Sequence, residues 1–128
     1  MKKFFILFFL ILFLPSLSAA GDKAAWTTTD TAVQAVFVAV MVVDWEQTRA
    51  FTCDPHNDRD MDETSPLLGT HPSRDKIDLV FGGGILAHTA IAYLLPHPYR
   101  TYWQSFWIGV ETEAVYANYY KAGIRFRF

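Results

Sequence analysis

The stretch LVFGGGILAHTAIAYLL, residues 79 to 95, decides how the chain is read. It carries no charge, and its one strongly polar side chain is His88. A helix that is apolar on every face lies either in a protein core or in lipid. A 128-residue chain folded as three helices has no layer that could surround such a helix completely. Lipid is therefore the expected surrounding, with a soluble three-helix domain as the competing reading. Composition agrees with lipid: 52% of residues are hydrophobic, 16% are aromatic and the mean hydropathy is +0.14.

Two more helices flank this one. Thr27 to Asp30 (TTTD) supplies N-cap residues ahead of TAVQAVFVAVMVVDWEQTRAF, which predicts a helix over 30–51. At 1.5 Å per residue it reaches ~31 Å, the thickness of a bilayer core. Residues 52–75 hold three prolines, Gly69 and six of the thirteen acids, and read as an acidic loop. The second helix is predicted over 76–95, where Pro96 and Pro98 end it. Pro98 then opens a third over 99–121, with Gly123 as its stop. The expected fold class is all-α, a small transmembrane bundle of three helices.

Residues 1–20, MKKFFILFFLILFLPSLSAA, read as a signal peptide: Lys2 and Lys3, an apolar run from Phe4 to Leu14, then Ser18-Ala19-Ala20 before the cut. The run is too short to span comfortably, and an uncleaved anchor is the alternative. With residue 21 outside, the inner segments hold Arg59, Arg74, Lys76, Lys121, Arg125 and Arg127, and the outer ones only Lys23 and Arg100. That asymmetry predicts a bacterial inner-membrane protein, mature N-terminus periplasmic and C-terminus cytoplasmic. Tyr99, Tyr102 and Trp103 at one end, and Tyr116, Tyr119 and Tyr120 at the other, read as interfacial belts. Net charge is −2 with scattered basic residues, which excludes a nucleic-acid stripe. Cys53 is the single cysteine, so no internal disulfide or zinc knuckle is expected. The tail Ile124-Arg125-Phe126-Arg127-Phe128 resembles a terminal barrel strand but reads as a cationic amphipathic tail, since one strand closes no barrel.

The candidate functional residues are the polar groups of the helices. Asp44 and Thr48 lie four apart and share a face with Phe37 and Met41. Gln104, Glu111 and Asn118 recur at intervals of seven, with Trp107 between. His88 follows Gly82, Gly83, Gly84 and Ala87, small residues that let another backbone approach. Ionisable groups inside a bilayer are costly, so these six, Asp44, Thr48, His88, Gln104, Glu111 and Asn118, are read as an internal polar network. Within it, His88 is the expected partner of Glu111. Glu46 and Arg49 are expected to sit solvated at the interface.

Asp44, His88 and Glu111 are also a weak metal set, with ligand types that suit zinc or iron but no HExxH, ExxH or HxxxH spacing. Asp58 to Asp62 begins like a calcium loop, yet Glu63 stands at its sixth place and Gly69 at its twelfth, where glycine and glutamate belong. No cofactor is implied.

Asp44-Trp45-Glu46-Gln47-Thr48-Arg49, followed by Glu63-Thr64-Ser65-Pro66-Leu67-Leu68-Gly69, resembles uncharacterised small membrane proteins of bacteria and their phages. Their pattern is D-x-x-x-T, a variable loop, then E-x-N-P-L-x-G, and Ser65 replaces the usual asparagine. The resemblance implies a membrane location and a helical bundle, and carries no activity. Pro66 and Gly69 would fold the loop back, so that Thr64 or Ser65 meets Asp44 and Thr48.

The function expected from all this is structural or accessory, not enzymatic. Its partners would be the lipid bilayer and either further copies or other membrane subunits. A phage-type holin and an intramembrane metal- or proton-dependent enzyme or carrier are the alternatives.

Overall fold

Thr27, three residues upstream of the predicted start, begins the first helix. Its Oγ1 accepts from the Asp30 backbone N–H at 3.1 Å, and Asp30 Oδ2 accepts from the Thr27 N–H at 2.8 Å. This reciprocal capping box satisfies two donors that the helix end would otherwise orphan. The computed structural model describes residues 25–53, 66–69 and 72–120. Within them lie three helices, α1 (Thr28–Cys53), α2 (Arg74–Leu94) and α3 (Tyr99–Tyr120), and no strand. The fold is all-α, as the patterning predicts. The signal segment, Glu63, Ser65, the calcium-like acids and the basic tail lie outside the described residues.

Each boundary has a local cause. Ser73 Oγ accepts from the Lys76 N–H at 3.3 Å, which moves the start of α2 two residues ahead of the predicted one. Leu95 closes α2 through its N–H to the Ile91 carbonyl, just before Pro96. Pro98 precedes α3 instead of entering it, its carbonyl accepting from the Thr101 and Tyr102 N–H groups.

The central element is α1, which packs on both neighbours, while α2 and α3 touch far less. Contacts of Asp30 with Arg100 at one end and Asp44 with Asn118 at the other show that α1 and α3 run parallel. Pairs of Gln34 with Thr89 and Trp45 with Asp78 set α2 antiparallel to both. Phe37, Met41, Ile77 and Phe81 form the main apolar core, joined by Leu68 from the loop. Leu68 is held there by Lys76, whose Nζ donates to its carbonyl at 2.7 Å. Gly69, at φ +77°, turns the chain away immediately afterwards in a conformation that side chains disfavour. Leu68 thus anchors the turn of Pro66 to Gly69 on the core, while the expected meeting of Thr64 or Ser65 with Asp44 and Thr48 lies outside the described residues.

The glycines of α2 have separate roles. A Cβ at Gly84 would lie 3.0 Å from Met41 Cε, so α1 approaches closely there, whereas one at Gly83 would meet nothing within 4 Å. Gly84→Ile should cost about 1–3 kcal/mol through overpacking. Gly83→Ala should stabilise the helix by up to ~1 kcal/mol. Unfolding of the two variants in detergent, followed by circular dichroism, checks both; equal effects would contradict the packing described.

Two helices, α1 over Thr28–Ala50 and α2 over Arg74–Leu94, are long and apolar enough to cross a membrane. Only 28% and 22% of these spans are buried within the chain. The remainder is an apolar exterior, with Leu79, Leu86 and Tyr93 more than 60% exposed at intervals of seven along α2. Helix α3 does not meet the same measure, because Arg100, Gln104, Glu111, Glu113 and Asn118 dilute its apolar residues.

Candidate functional site

Five alternating spacings of four and three place Asp30, Gln34, Phe37, Met41, Asp44 and Thr48 on one seam of α1. All six are buried. Four of them are polar, and they fall into two clusters separated by Phe37 and Met41.

The first cluster lies at the N-terminal ends of α1 and α3. Arg100, 2% exposed, donates to Asp30 Oδ2 at 2.8 Å and to the Ala92 carbonyl at 2.9 Å, and its guanidinium lies 5.1 Å from the Trp26 ring centre. One turn further on, Gln104 Nε2 donates to the Asp30 carbonyl at 3.2 Å and to Gln34 Oε1 at 3.1 Å. Gln34 Nε2 in turn donates to Thr89 Oγ1 at 2.8 Å and meets His88 Nδ1 at 3.2 Å. With this amide orientation Nδ1 accepts, so the ring proton of neutral His88 is on Nε2. The imidazole is stacked on Phe37 at 3.6 Å and on Trp103 at 5.4 Å, and Trp103 Nε1 donates to the His88 carbonyl. A charged pair on one helix couple is therefore linked through two amides to a histidine on the third.

The second cluster lies toward the C-terminal ends of α1 and α3. Asn118 Nδ2 donates to Asp44 Oδ1 at 2.8 Å, and Gln47 Nε2 reaches the Val115 carbonyl at 3.5 Å. Glu111 is half-buried one turn before Val115 on α3. Thr48 is buried beside them on α1. On the other flank of α1, Arg49 grips Asp78 with two bonds of 2.7 Å, bonds Glu46 at 2.9 Å and lies over Trp45, whose Nε1 also donates to Asp78. Arg49 was expected to be solvated; instead it clamps α1 to α2, because Asp78 presents a carboxylate in bidentate reach. Its side chain and that of Asp78 are still 24% and 34% exposed, so Asp78→Ala should cost only about 1 kcal/mol. The same unfolding measurement repeated in high salt should reduce that difference.

The six predicted polar residues are thus divided. His88 and Gln104 belong to the first cluster, and Asp44, Thr48, Glu111 and Asn118 to the second. The ten residues between Gln34 and Asp44 correspond to ~15 Å along α1, so the expected pairing of His88 with Glu111 does not form. Its place is taken by Gln34. For the same reason Asp44, His88 and Glu111 do not converge as metal ligands, and no group of three His, Cys, Asp or Glu side chains able to hold a metal occurs among the described residues. Of the loop motif, Pro66 and Gly69 form the turn behind Leu68. Trp103, expected in an interfacial belt, is buried against His88, whereas Tyr99, Tyr102, Tyr116, Tyr119 and Tyr120 are exposed.

Sequence reasoning passed over Asp30, Gln34, Thr89 and Arg100 as network members. The signal for two of them was present: the face carrying Asp44, Met41 and Phe37 reaches Gln34 and Asp30 when continued upstream. Compared with protein-family models, curated proteins and solved structures, the chain has no match.

Proposed function

We propose that the protein is a small polytopic inner-membrane protein with a structural or accessory role, its three helices crossing the bilayer around an internal polar network. The observation that carries this reading is the inverted distribution of polarity. Asp30, Gln34, Asp44, Gln47, Thr48, His88, Arg100 and Gln104 are buried, while Leu79, Leu86, Tyr93, Leu94 and Val36 face outward. In water the opposite arrangement is favoured, since exposed apolar area of this extent drives association. In hydrocarbon the polar side chains gain by bonding one another and the apolar ones lose nothing by facing lipid.

Helix α3 crosses as the third member because Arg100, Gln104 and Asn118 turn toward α1, leaving Tyr102, Phe106, Val110 and Tyr116 outside. The larger number of Lys and Arg residues on the side holding the loop after α1 and the tail after α3 supports a cytoplasmic C-terminus, since acids count little under that rule. The resemblance of Asp44 to Gly69 to small bacterial and phage membrane proteins points the same way.

Fractionation of expressing cells tests the proposal. The protein should remain in the membrane pellet through an alkaline carbonate wash and leave it only with detergent. A C-terminal fluorescent-protein fusion should fluoresce, and a C-terminal alkaline phosphatase fusion should be inactive. A monodisperse mature protein in detergent-free buffer would overturn the reading.

A further inference from the structure

The hydrogen bonds that run from α3 through α1 to His88 form a chain in which each group has one role. At one end stands the Asp30 carbonyl, which can only accept, so Gln104 meets it with Nε2 at 3.2 Å. The same Nε2 lies 3.1 Å from Gln34, which must therefore present Oε1 to it. That leaves Gln34 Nε2 for two neighbours, Thr89 Oγ1 at 2.8 Å and His88 Nδ1 at 3.2 Å. Thr89 directs its own hydroxyl proton to the Ile85 carbonyl at 2.7 Å, so it accepts from Gln34. Only the acceptor role remains for His88 Nδ1. Two backbone carbonyls, Asp30 on α1 and Ile85 on α2, fix the direction of the chain, and neither can turn over.

A proton on Nδ1 contradicts that direction. If Nδ1 takes a proton from water while Nε2 keeps its own, the imidazolium has two donors and no acceptor. An N–H then faces the Gln34 NH₂ group at 3.2 Å. Turning Gln34 over relieves His88 but sets its NH₂ group against that of Gln104. Turning Gln104 over as well sets its oxygen against the Asp30 carbonyl. Gln34, His88 and Gln104 are 8%, 4% and 1% exposed, so water does not absorb the mismatch. No other charge compensates at the ring, whose two faces lie on Phe37 of α1 and Trp103 of α3. Asp30 of α1 and Arg100 of α3, the charges at this end, bond one another. Between Asp78 and Leu94 α2 holds no charged residue, and Tyr93 is 65% exposed.

We propose that His88 is a proton-operated latch, which holds α2 on α1 while neutral and releases it when protonated. The break falls between Gln34 and His88, because opening there leaves the Gln104 bonds and the Asp30–Arg100 pair intact. Arg49 on Asp78 and Arg100 on the Ala92 carbonyl keep the two ends of α2 attached. The part between them moves off α1, and Gly82, Gly83 and Gly84 within it ease the bend. Histidine is the side chain whose charge ordinarily changes in mild acid. The inference goes beyond the membrane reading and does not depend on it.

The test uses the full-length protein in mild detergent, with Cys53 replaced by serine and spin labels on introduced cysteines at exposed positions. Pulsed electron resonance between labels at Val36 and Leu86, 50% and 73% exposed, should give one narrow distance near neutral pH. In mildly acidic buffer that distance should become longer and broader. Labels at Val42 and Leu79, toward the Asp78 end, should hold theirs. H88N keeps an acceptor in the place of Nδ1 and takes up no proton, so it should stay closed in acid. Q34E offers acceptors to Gln104 and to the protonated ring at once, and should also stay closed in acid. The two variants are of opposite design, so one that fails to fold leaves the other to decide. Acid opening that persists in a folded variant overturns the proposal. So does a native distance that never changes at any pH where circular dichroism is intact.

Discussion

Replacing Asp30 by alanine should destabilise the bundle by about 3–5 kcal/mol, the cost of leaving a buried charge without its partner. The side chains of Arg100 and Asp30 are 2% and 5% exposed, so water does not screen the loss. Arg100 would keep its bond to the Ala92 carbonyl and its contact with the Trp26 ring, neither of which neutralises it. The variant also removes the acceptor for the Thr27 N–H, and with it half of the capping box. Two controls separate these effects. Asp30→Asn retains a cap but not the charge, and should still be strongly destabilised. The double variant Asp30→Leu with Arg100→Met replaces the pair by apolar groups and should recover most of the loss, because the desolvation of both ions disappears together. Unfolding in mixed micelles, followed by tryptophan fluorescence and circular dichroism, gives the differences. A loss from Asp30→Ala no larger than the ~1 kcal/mol of an exposed pair would show that the end of the bundle is wet.

Phe37→Ala should have an effect of similar size, about 3–5 kcal/mol, for a different reason. Phe37 is 2% exposed, touches Met41 and Phe81 in the core and stacks on the His88 ring at 3.6 Å. It stands where the two polar clusters are kept apart, so its removal opens a void between them. With the bundle in a membrane, as proposed above, the loss is one of packing and not of transfer from water, since the exterior is apolar already. Val36→Ala is the matched comparison. That residue is 50% exposed on the outer face of the same helix and should change stability by no more than about 0.5 kcal/mol. If Phe37→Ala and Val36→Ala proved equivalent in the same unfolding series, the seam assigned to α1 would be wrong.

Much of the architecture was legible in advance because it depends on local chemistry. Prolines 96 and 98 separate α2 from α3 whatever surrounds them, and the uncharged run from Leu79 to Leu95 admits few environments. Boundaries moved by about two residues where a side chain took a cap, as Ser73 and Thr27 do. The network was less legible. Asp44 and Asn118 were both marked as inward-facing, and they meet. His88 and Glu111 were also marked, yet each lies in a different cluster. Arg100 was counted as an outer-loop charge, although its side chain is among the most deeply buried. Nothing in its neighbours Tyr99 and Thr101 announces that it folds back across seventy residues of sequence to Asp30.

What the sequence by itself determined is which segments are helical and which residues share a face, since capping, proline and the 3.6-residue repeat act within a few positions. Which faces meet, and at what height, was decided by the tertiary structure. Parallel packing of α1 on α3 brings Asp30 to Arg100 and Asp44 to Asn118, and antiparallel packing of α2 brings His88 to Gln34. Partner choice for a buried polar side chain follows the relative translation of helices, and no residue of a single helix encodes that shift alone.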